Sequence, residues 1–387
     1  QSSEQRQRSV PLNLTLVLDR STSMRGVRLD KVKHAAHQII EQLTPDDILS
    51  VVSFSDRADV MIEAEKVTNA AAMQSIVSIM RADGGTEIYQ GLSQSMQEIR
   101  RFRHAQRINH IIMITDGKTY GDEDKCLNLA DQAATQQVGI STFGISGQWN
   151  DTFLDTITAK TGGSSMYISD VKDIKHLLLE KAVGLGDIYA NLVTYNFETP
   201  SQVDLTNVFR INPDSAPLGN SSPVILGAVP RKNKLAFLLE FRVNAIPQAE
   251  QQVTLAEGKL SYQTPGVANA TTVIQRLDLQ RPISPVADNS PPPAGIVHAM
   301  SYLTLYRMQE KARADIARGD VQSAIRRLQN LATHLLALGQ RELSRHVMSE
   351  INHIQQHHSF STEGEKQIKY GTRSLIPSAM SNEEEHD

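Results

Sequence analysis

Cysteine is almost absent from this chain: Cys126 is the only one among 387 residues. A single thiol cannot close an intramolecular disulfide, so a disulfide-stapled scaffold is excluded. The lone thiol suits a reducing compartment and gives the expectation of a cytoplasmic address. Long hydrophobic runs are missing too. Nowhere do the roughly 18 apolar residues of a membrane-spanning helix follow one another, so no membrane span is expected. The opening residues, QSSEQRQRSV, form no basic-then-apolar leader, although Gln1 in place of Met leaves room for a trimmed one. Neither sign of charge dominates: 39 Lys+Arg against 43 Asp+Glu leave a net charge of −4. There is no long basic run, so nucleic acid is not expected as a partner. The length exceeds one ordinary core and points to two or three domains.

What is present falls into three regions. In the first half, apolar runs at Leu12–Leu18, Asp47–Phe54, His110–Thr115, Gly139–Ile145 and Ser165–Ile168 alternate with segments of helical spacing. The face Leu29, Val32, Ala36, Ile39, Ile40 and Leu43 is one example. This alternation predicts an α/β fold with a doubly wound, mostly parallel sheet. The hairpin-like stretch Val51–Ile62 predicts one antiparallel edge strand. From about residue 188 the pattern becomes short alternating strands: Asn191–Glu198, Val203–Ile211, Val224–Ala228, Lys234–Val243, Gln252–Gln263 and Thr271–Leu279. Pro213, Gly219, Pro230, Pro247 and Pro265 punctuate them, which predicts an all-β sandwich. A proline-rich linker then leads into three helices ending near His358, a helical bundle. The expected domains are an N-terminal segment 1–11, an α/β domain 12–187, a sandwich 188–283, a linker 284–296, a bundle 297–360 and a polar, partly mobile tail 361–387. Tyr370-Gly371-Thr372-Arg373 in that tail looks like a turn.

The chemistry is concentrated in three loops. Asp19-Arg20-Ser21-Thr22-Ser23 follows the first apolar run. In an open α/β sheet this is the carboxyl end of a strand, where ligands bind. Asp83-Gly84-Gly85-Thr86-Glu87 precedes a helix, and its paired glycines allow close backbone approach. Thr115-Asp116-Gly117 ends the apolar run His110–Thr115 and places Asp116 at the same sheet edge as Asp19. Two carboxylates and three hydroxyls form an all-oxygen set suited to a hard divalent cation.

On these residues the first half resembles the von Willebrand factor type A family with its metal-ion-dependent adhesion site. Asp19, Ser21 and Ser23 match the first loop of that site, Thr86 the second and Asp116 the third. The resemblance covers residues 12 to about 185. It implies a Rossmann-like six-stranded sheet with a short antiparallel third strand, and Mg²⁺ or Mn²⁺, rather than Ca²⁺, at its upper edge. It implies direct metal contact by Ser21 and Ser23, contact through water by Asp19, and exchange between the two modes at Thr86 and Asp116. The whole arrangement is similar to uncharacterised bacterial proteins of this superfamily and, more distantly, to inter-alpha-trypsin-inhibitor heavy chains.

Charge arithmetic gives the expected function. Two carboxylates, one acting through water, leave a divalent centre net positive, and hydroxyls do not quench it. An open position then favours an Asp or Glu of a protein partner. Unit charges ~4 Å apart attract by roughly 4 kcal/mol at an effective dielectric near 20, while association costs about 4–15 kcal/mol. Neighbouring residues must supply the rest: Arg20 and Met24, Tyr89, Lys118, Thr119 and Tyr120, and Trp149 with Asn150. Three alternatives stay open. The chain can be an adaptor of a larger assembly, an ATP-driven one included, that docks through the bundle. Its acidic tail Glu383–Glu385, or a second copy, can occupy the site. A metal-dependent hydrolase is disfavoured: no histidine adjoins the three loops, and phosphate-loop and Gly-x-Ser-x-Gly patterns are missing. Cys126 reads as a buried structural thiol. His353 and His357, and the basic residues Arg326, Arg327, Arg341 and Arg345, read as solvated helix surface.

Overall fold

The computed structural model describes residues 10–119, 121–244, 251–266, 272–284, 286 and 290–381. The chain divides into two compact units, the second formed by the C-terminal helices.

The first unit opens with the α/β domain. Its elements are β1 (Leu12–Asp19), α1 (Val27–Gln42), β2 (Ile48–Phe54), β3 (Ala58–Lys66), α2 (Ala70–Ser78), α3 (Ile88–Arg101), β4 (Ile108–Thr115), α4 (Glu123–Thr135), β5 (Val138–Ile145), α5 (Asp151–Thr161), β6 (Ser165–Ile168) and α6 (Ile174–Leu185). The six strands form one sheet in the order β3-β2-β1-β4-β5-β6. All pairs are parallel except β2 with β3. Every residue of β1, β2, β4 and β5 is buried. Strands covered by helices on both faces require the continuous apolar runs seen in the sequence. The antiparallel edge strand is nine residues long, so β3 is not short; the four-residue strand is β6.

β7 (Ile188–Glu198), β8 (Val203–Asn212), β9 (Ala216–Leu218), β10 (Val224–Pro230), β11 (Ala236–Val243), β12 (Gln252–Gln263) and β13 (Val273–Pro282) follow. They form two antiparallel sheets, β10-β7-β12-β13 and β11-β8-β9. Tyr195, Leu226 and Ala256 of the first sheet share one apolar core with Leu205, Val208 and Leu218 of the second, which makes a sandwich. β9 was not expected; three residues with Pro217 at their centre carry too little alternation to read as a strand.

Arg210 of β8 ties the sandwich to the α/β domain. Its guanidinium donates to the Gly162, Gly163 and Leu226 carbonyls at 3.3, 2.6 and 3.3 Å and to Asp214 Oδ1 at 2.5 Å. Lys181 of α6 donates to the other Asp214 oxygen at 3.1 Å. Burial opposes the Asp214 charge, but these two cations outweigh it and hold the carboxyl well below its usual range.

The second unit contains α7 (Ala294–Ala317), α8 (Val321–Ala337), α9 (Arg341–His357) and α10 (Thr362–Ser381). Gly319 and Gly339, at φ 80° and 76°, end the first two, and Asp320 caps α8 by accepting the Ser323 N–H. α7 begins inside the expected linker, at Ala294. The bundle has four helices rather than three, because α10 occupies the expected polar tail. Ile368 and Ile376 of α10 are fully buried, and Ile368 joins the core of Leu328, Leu331, Leu335, Val347 and Ile351. Arg313 donates to Glu365 at 2.5 Å and binds α7 to α10. The Tyr370–Arg373 stretch is helix, not turn, and the Arg373 guanidinium lies 5.4 Å from the Tyr306 ring centroid and 4.8 Å from that of Tyr370. Glu383–Glu385 lie outside the described residues. No helix among the described residues is long and apolar enough to cross a membrane.

Candidate functional site

β1 and β4 are neighbours, and the strand order reverses between them. Asp19 is the last residue of β1, and Asp116 immediately follows β4. The first loop folds on its own polar atoms: Asp19 Oδ1 accepts the Ser21 N–H at 2.7 Å, a turn that Asp side chains favour. Asp19 Oδ2 accepts the Thr115 hydroxyl at 2.6 Å. The Ser21 and Ser23 hydroxyls stand 3.0 Å apart, and the Ser23 hydroxyl donates to Asp116 Oδ1 at 2.6 Å. Four of the five expected residues thus form one hydrogen-bonded chain between the two carboxylates.

Thr86 arrives from the second loop, which is clasped to the first. Asp83 N–H donates to the Arg20 carbonyl at 2.8 Å, and the Gly84 carbonyl accepts from Thr22 N–H and hydroxyl at 3.0 Å each. Gly84 sits at φ 84°, and a Cβ there would lie 2.5 Å from Asp56 Oδ1 and 2.9 Å from the Ser55 hydroxyl, so glycine lets the second loop lie against the turn after β2. A Cβ on Gly117 would lie 2.8 Å from Thr86 Oγ1. The Thr86 hydroxyl therefore rests against the backbone just beyond Asp116.

The two carboxylates differ electrostatically. Asp19 is fully buried, and burial pushes its carboxyl up to about 6; hydrogen bonds from Ser21 and Thr115 pull it down, and the Asp116 charge adds to the rise. Among the described residues no cation contacts Asp19. Asp116 is also buried, but Arg28 Nη1 donates to its Oδ2 at 2.9 Å. Arg28 was missed in the sequence. The signal was a basic residue in the first turn of α1, where the helix dipole disfavours it. Fit to a hard divalent cation follows from the oxygen-only donor set and from a buried Asp19 charge without a counter-ion. Among the described residues, no group of three or more His, Cys, Asp and Glu side chains gathers to hold a metal.

Two expected surface contacts are not at the surface. Met24 is 0 % exposed and anchors the first loop into the core beneath α1. Trp149 is also 0 % exposed; a Cβ on Gly144 would lie 1.9 Å from its indole ring, so the ring occupies the space that glycine leaves. Thr119 is buried, accepts the Ile88 N–H and donates to Asp122, while Asn150 caps α5 through the Phe153 N–H. Arg20 is largely buried and pairs with Asp59 at 2.7 Å. Tyr89 is half-buried beneath Lys125, and Lys118 is exposed. Tyr120 lies outside the described residues. Cys126 is buried in α4, and burial pushes its thiol up, as an inert structural cysteine requires. The His353 and His357 rings stack 4.2 Å apart.

Residues 13–180 match the family described as von Willebrand factor type A domain, and residues 294–378 match the Sll0103-like, C-terminal alpha-helical domain. The chain is 30 % identical over 336 residues to a Synechocystis sp. protein described as uncharacterized protein sll0103, covering 84 % of this chain and 79 % of that one. It is 25 % identical over 209 residues to inter-alpha-trypsin inhibitor heavy chain H4 of Bos taurus, covering 50 % of this chain but only 22 % of that protein. Among solved structures, a von Willebrand factor type A protein from Catenulispora acidiphila superposes with a TM-score of 0.76 at 16 % identity, covering 94 % of this chain and 89 % of that one. The ArnB paralog VWA2 from Sulfolobus acidocaldarius gives 0.55 at 17 % identity with the same coverage.

Proposed function

We propose, from the premise that the chain belongs to the Sll0103-like family of von Willebrand factor type A proteins, that it is a non-enzymatic, metal-dependent protein-binding module. Asp19, Ser21, Ser23, Thr86 and Asp116 hold a divalent cation, Mg²⁺ or Mn²⁺. When bound, that cation supplies a Lewis-acidic position for an Asp or Glu side chain of a protein partner. The observation that carries this reading is Asp19: a buried carboxylate, held by two neutral donors, with no cation against it among the described residues.

The chain's own residues do the positioning. The turn from Asp19 to Ser21 fixes the first loop. The clasp to Gly84 sets the second loop beside it. Ser23 is exposed and Thr86 half-buried, while Ser21 and both carboxylates are buried, so the site opens to solvent on the side of Ser23 and Thr86. Lys118 and Tyr89 belong to the rim that a partner meets.

Calorimetric titration of Mg²⁺ and Mn²⁺ into wild type and Asp19→Ala tests the cation. Binding is expected for the wild type and lost in the variant; equal heats from both would sink the assignment. A pull-down in Mg²⁺ released by EDTA tests the partner. Retention that ignores EDTA counts against a metal-mediated contact.

A further inference from the structure

Arg28 stands where its charge is least welcome to the helix that carries it. It lies in the first turn of α1, whose N-terminus already bears partial positive charge. Its Nη1 donates to Asp116 Oδ2 at 2.9 Å and to the Ser23 carbonyl at 3.2 Å, and so grips two of the three loops. The Asp116 side chain is 0 % exposed and that of Arg28 is 37 % exposed. The second Asp116 oxygen takes the Ser23 hydroxyl. Among the described residues, Asp19 has no such cation. The two carboxylates are therefore neutralised unequally before any metal arrives.

We propose, resting on the cation reading above, that Arg28 is a positioning residue that sets how strongly the site binds its cation. It serves as the built-in counter-ion of Asp116. It ties Oδ2 with a charged partner and leaves Oδ1, which takes only the neutral Ser23 hydroxyl, as the oxygen that can turn toward a metal. A guanidinium stays charged throughout the physiological pH range, so its opposition to a second cation is permanent. The result is a weaker grip on the metal than two free carboxylates would give, and more uncancelled positive charge for an incoming carboxylate. When the site holds no metal, the same contact keeps the buried Asp116 charge compensated.

The test uses Mn²⁺ alone on the full chain, with calorimetry and with melting in EDTA and in Mn²⁺. Arg28→Met is expected to bind Mn²⁺ on the order of tenfold tighter, as removal of a unit charge about 6 Å from a divalent cation predicts at a water-like dielectric. Its melting temperature is expected to fall below wild type in EDTA and to recover in Mn²⁺. Arg28→Lys keeps the charge and is expected to stay within about threefold of wild-type affinity. An arginine that only supports the fold would lower melting in both buffers without tightening Mn²⁺ binding, and that result overturns the proposal. Should Arg28→Met not fold, Arg28→Gln keeps an N–H donor without the charge; no tightening there also overturns it. If wild type and every Arg28 variant ignore Mn²⁺, the cation reading falls and this proposal with it. If wild type binds, Asp19→Ala does not, and Arg28→Met binds no tighter, the cation reading stands and this proposal alone falls.

Discussion

His110 makes folding stability depend on pH in a direction that can be worked out. It lies in β4, near the strand end opposite Asp116, and is 7 % exposed. Its Nε2 stands 2.9 Å from the Ser141 hydroxyl, and glycine at 139 makes room, since a Cβ there would lie 2.5 Å from Nδ1. The ring lines a cavity of about 330 Å³ together with Lys181, Arg210 and Asp214. Burial first, and the Lys181 charge second, press its pKa from 6.5 down to about 3, while Asp214 pulls the other way. Between those values the unfolded chain takes up a proton that the folded chain refuses. Stability is therefore complete above pH 6.5 and falls as pH drops toward 3. For one such group the loss is about 2 kcal/mol at pH 5 and about 3 kcal/mol at pH 4. Urea unfolding at pH 8, 6.5 and 5, followed by the fluorescence of the sole tryptophan, Trp149, measures it. His110→Gln keeps a hydrogen-bonding group for Ser141 but cannot titrate. The stability difference between wild type and His110→Gln is expected to shift by about 2 kcal/mol between pH 8 and pH 5. Parallel pH profiles for the two proteins would refute the reasoning.

Two further predictions concern packing. Arg210→Met removes a guanidinium whose side chain is 2 % exposed, leaves Asp214 paired with Lys181 and strands the Gly162, Gly163, Leu226 and Asp214 carbonyls. A loss of about 3–5 kcal/mol is expected from breaking such a buried pair on one side; a shift in the urea midpoint worth less than about 1 kcal/mol would count against the network's role. Gly144→Ala drives a methyl into the Trp149 ring and is expected to cost about 1–3 kcal/mol or more. A red shift of tryptophan emission should accompany it, and an unchanged spectrum with unchanged stability would contradict the contact.

The α/β domain was legible because each central strand is buried on both faces and so must be apolar throughout; Leu12–Leu18 and His110–Thr115 have no other explanation. The three loops were legible because Asp, Ser and Thr cluster at the strand ends. Met24 and Trp149 were misread for one reason: apolar residues in loops look like contact surface. Gly144 held the missing clue to Trp149, since a glycine inside a strand often marks a close approach. The tail was misread by composition. Ile368, Thr372, Leu375 and Ile376 follow a helical stripe, and the polar residues between them masked it. Arg28 carried no motif, because one basic residue on a helix acquires meaning only when folding sets it against Asp116.

The inequality between Asp19 and Asp116 also orders their duties. A buried charge without a counter-ion costs more than a paired one. Asp19 therefore gains most from a cation, while Asp116 gains less because Arg28 already compensates it. The Ser21 and Ser23 hydroxyls lie between the two, 3.0 Å apart, and join the uncompensated carboxylate to the compensated one. On the cation reading, Asp19 is the residue that makes occupancy favourable. Asp116, held by Ser23 on one side and Arg28 on the other, is the residue whose share in the centre can change as a partner's carboxylate arrives. A site with two equally paired carboxylates would lack that division, and one with neither paired would leave less positive charge for the partner's carboxylate.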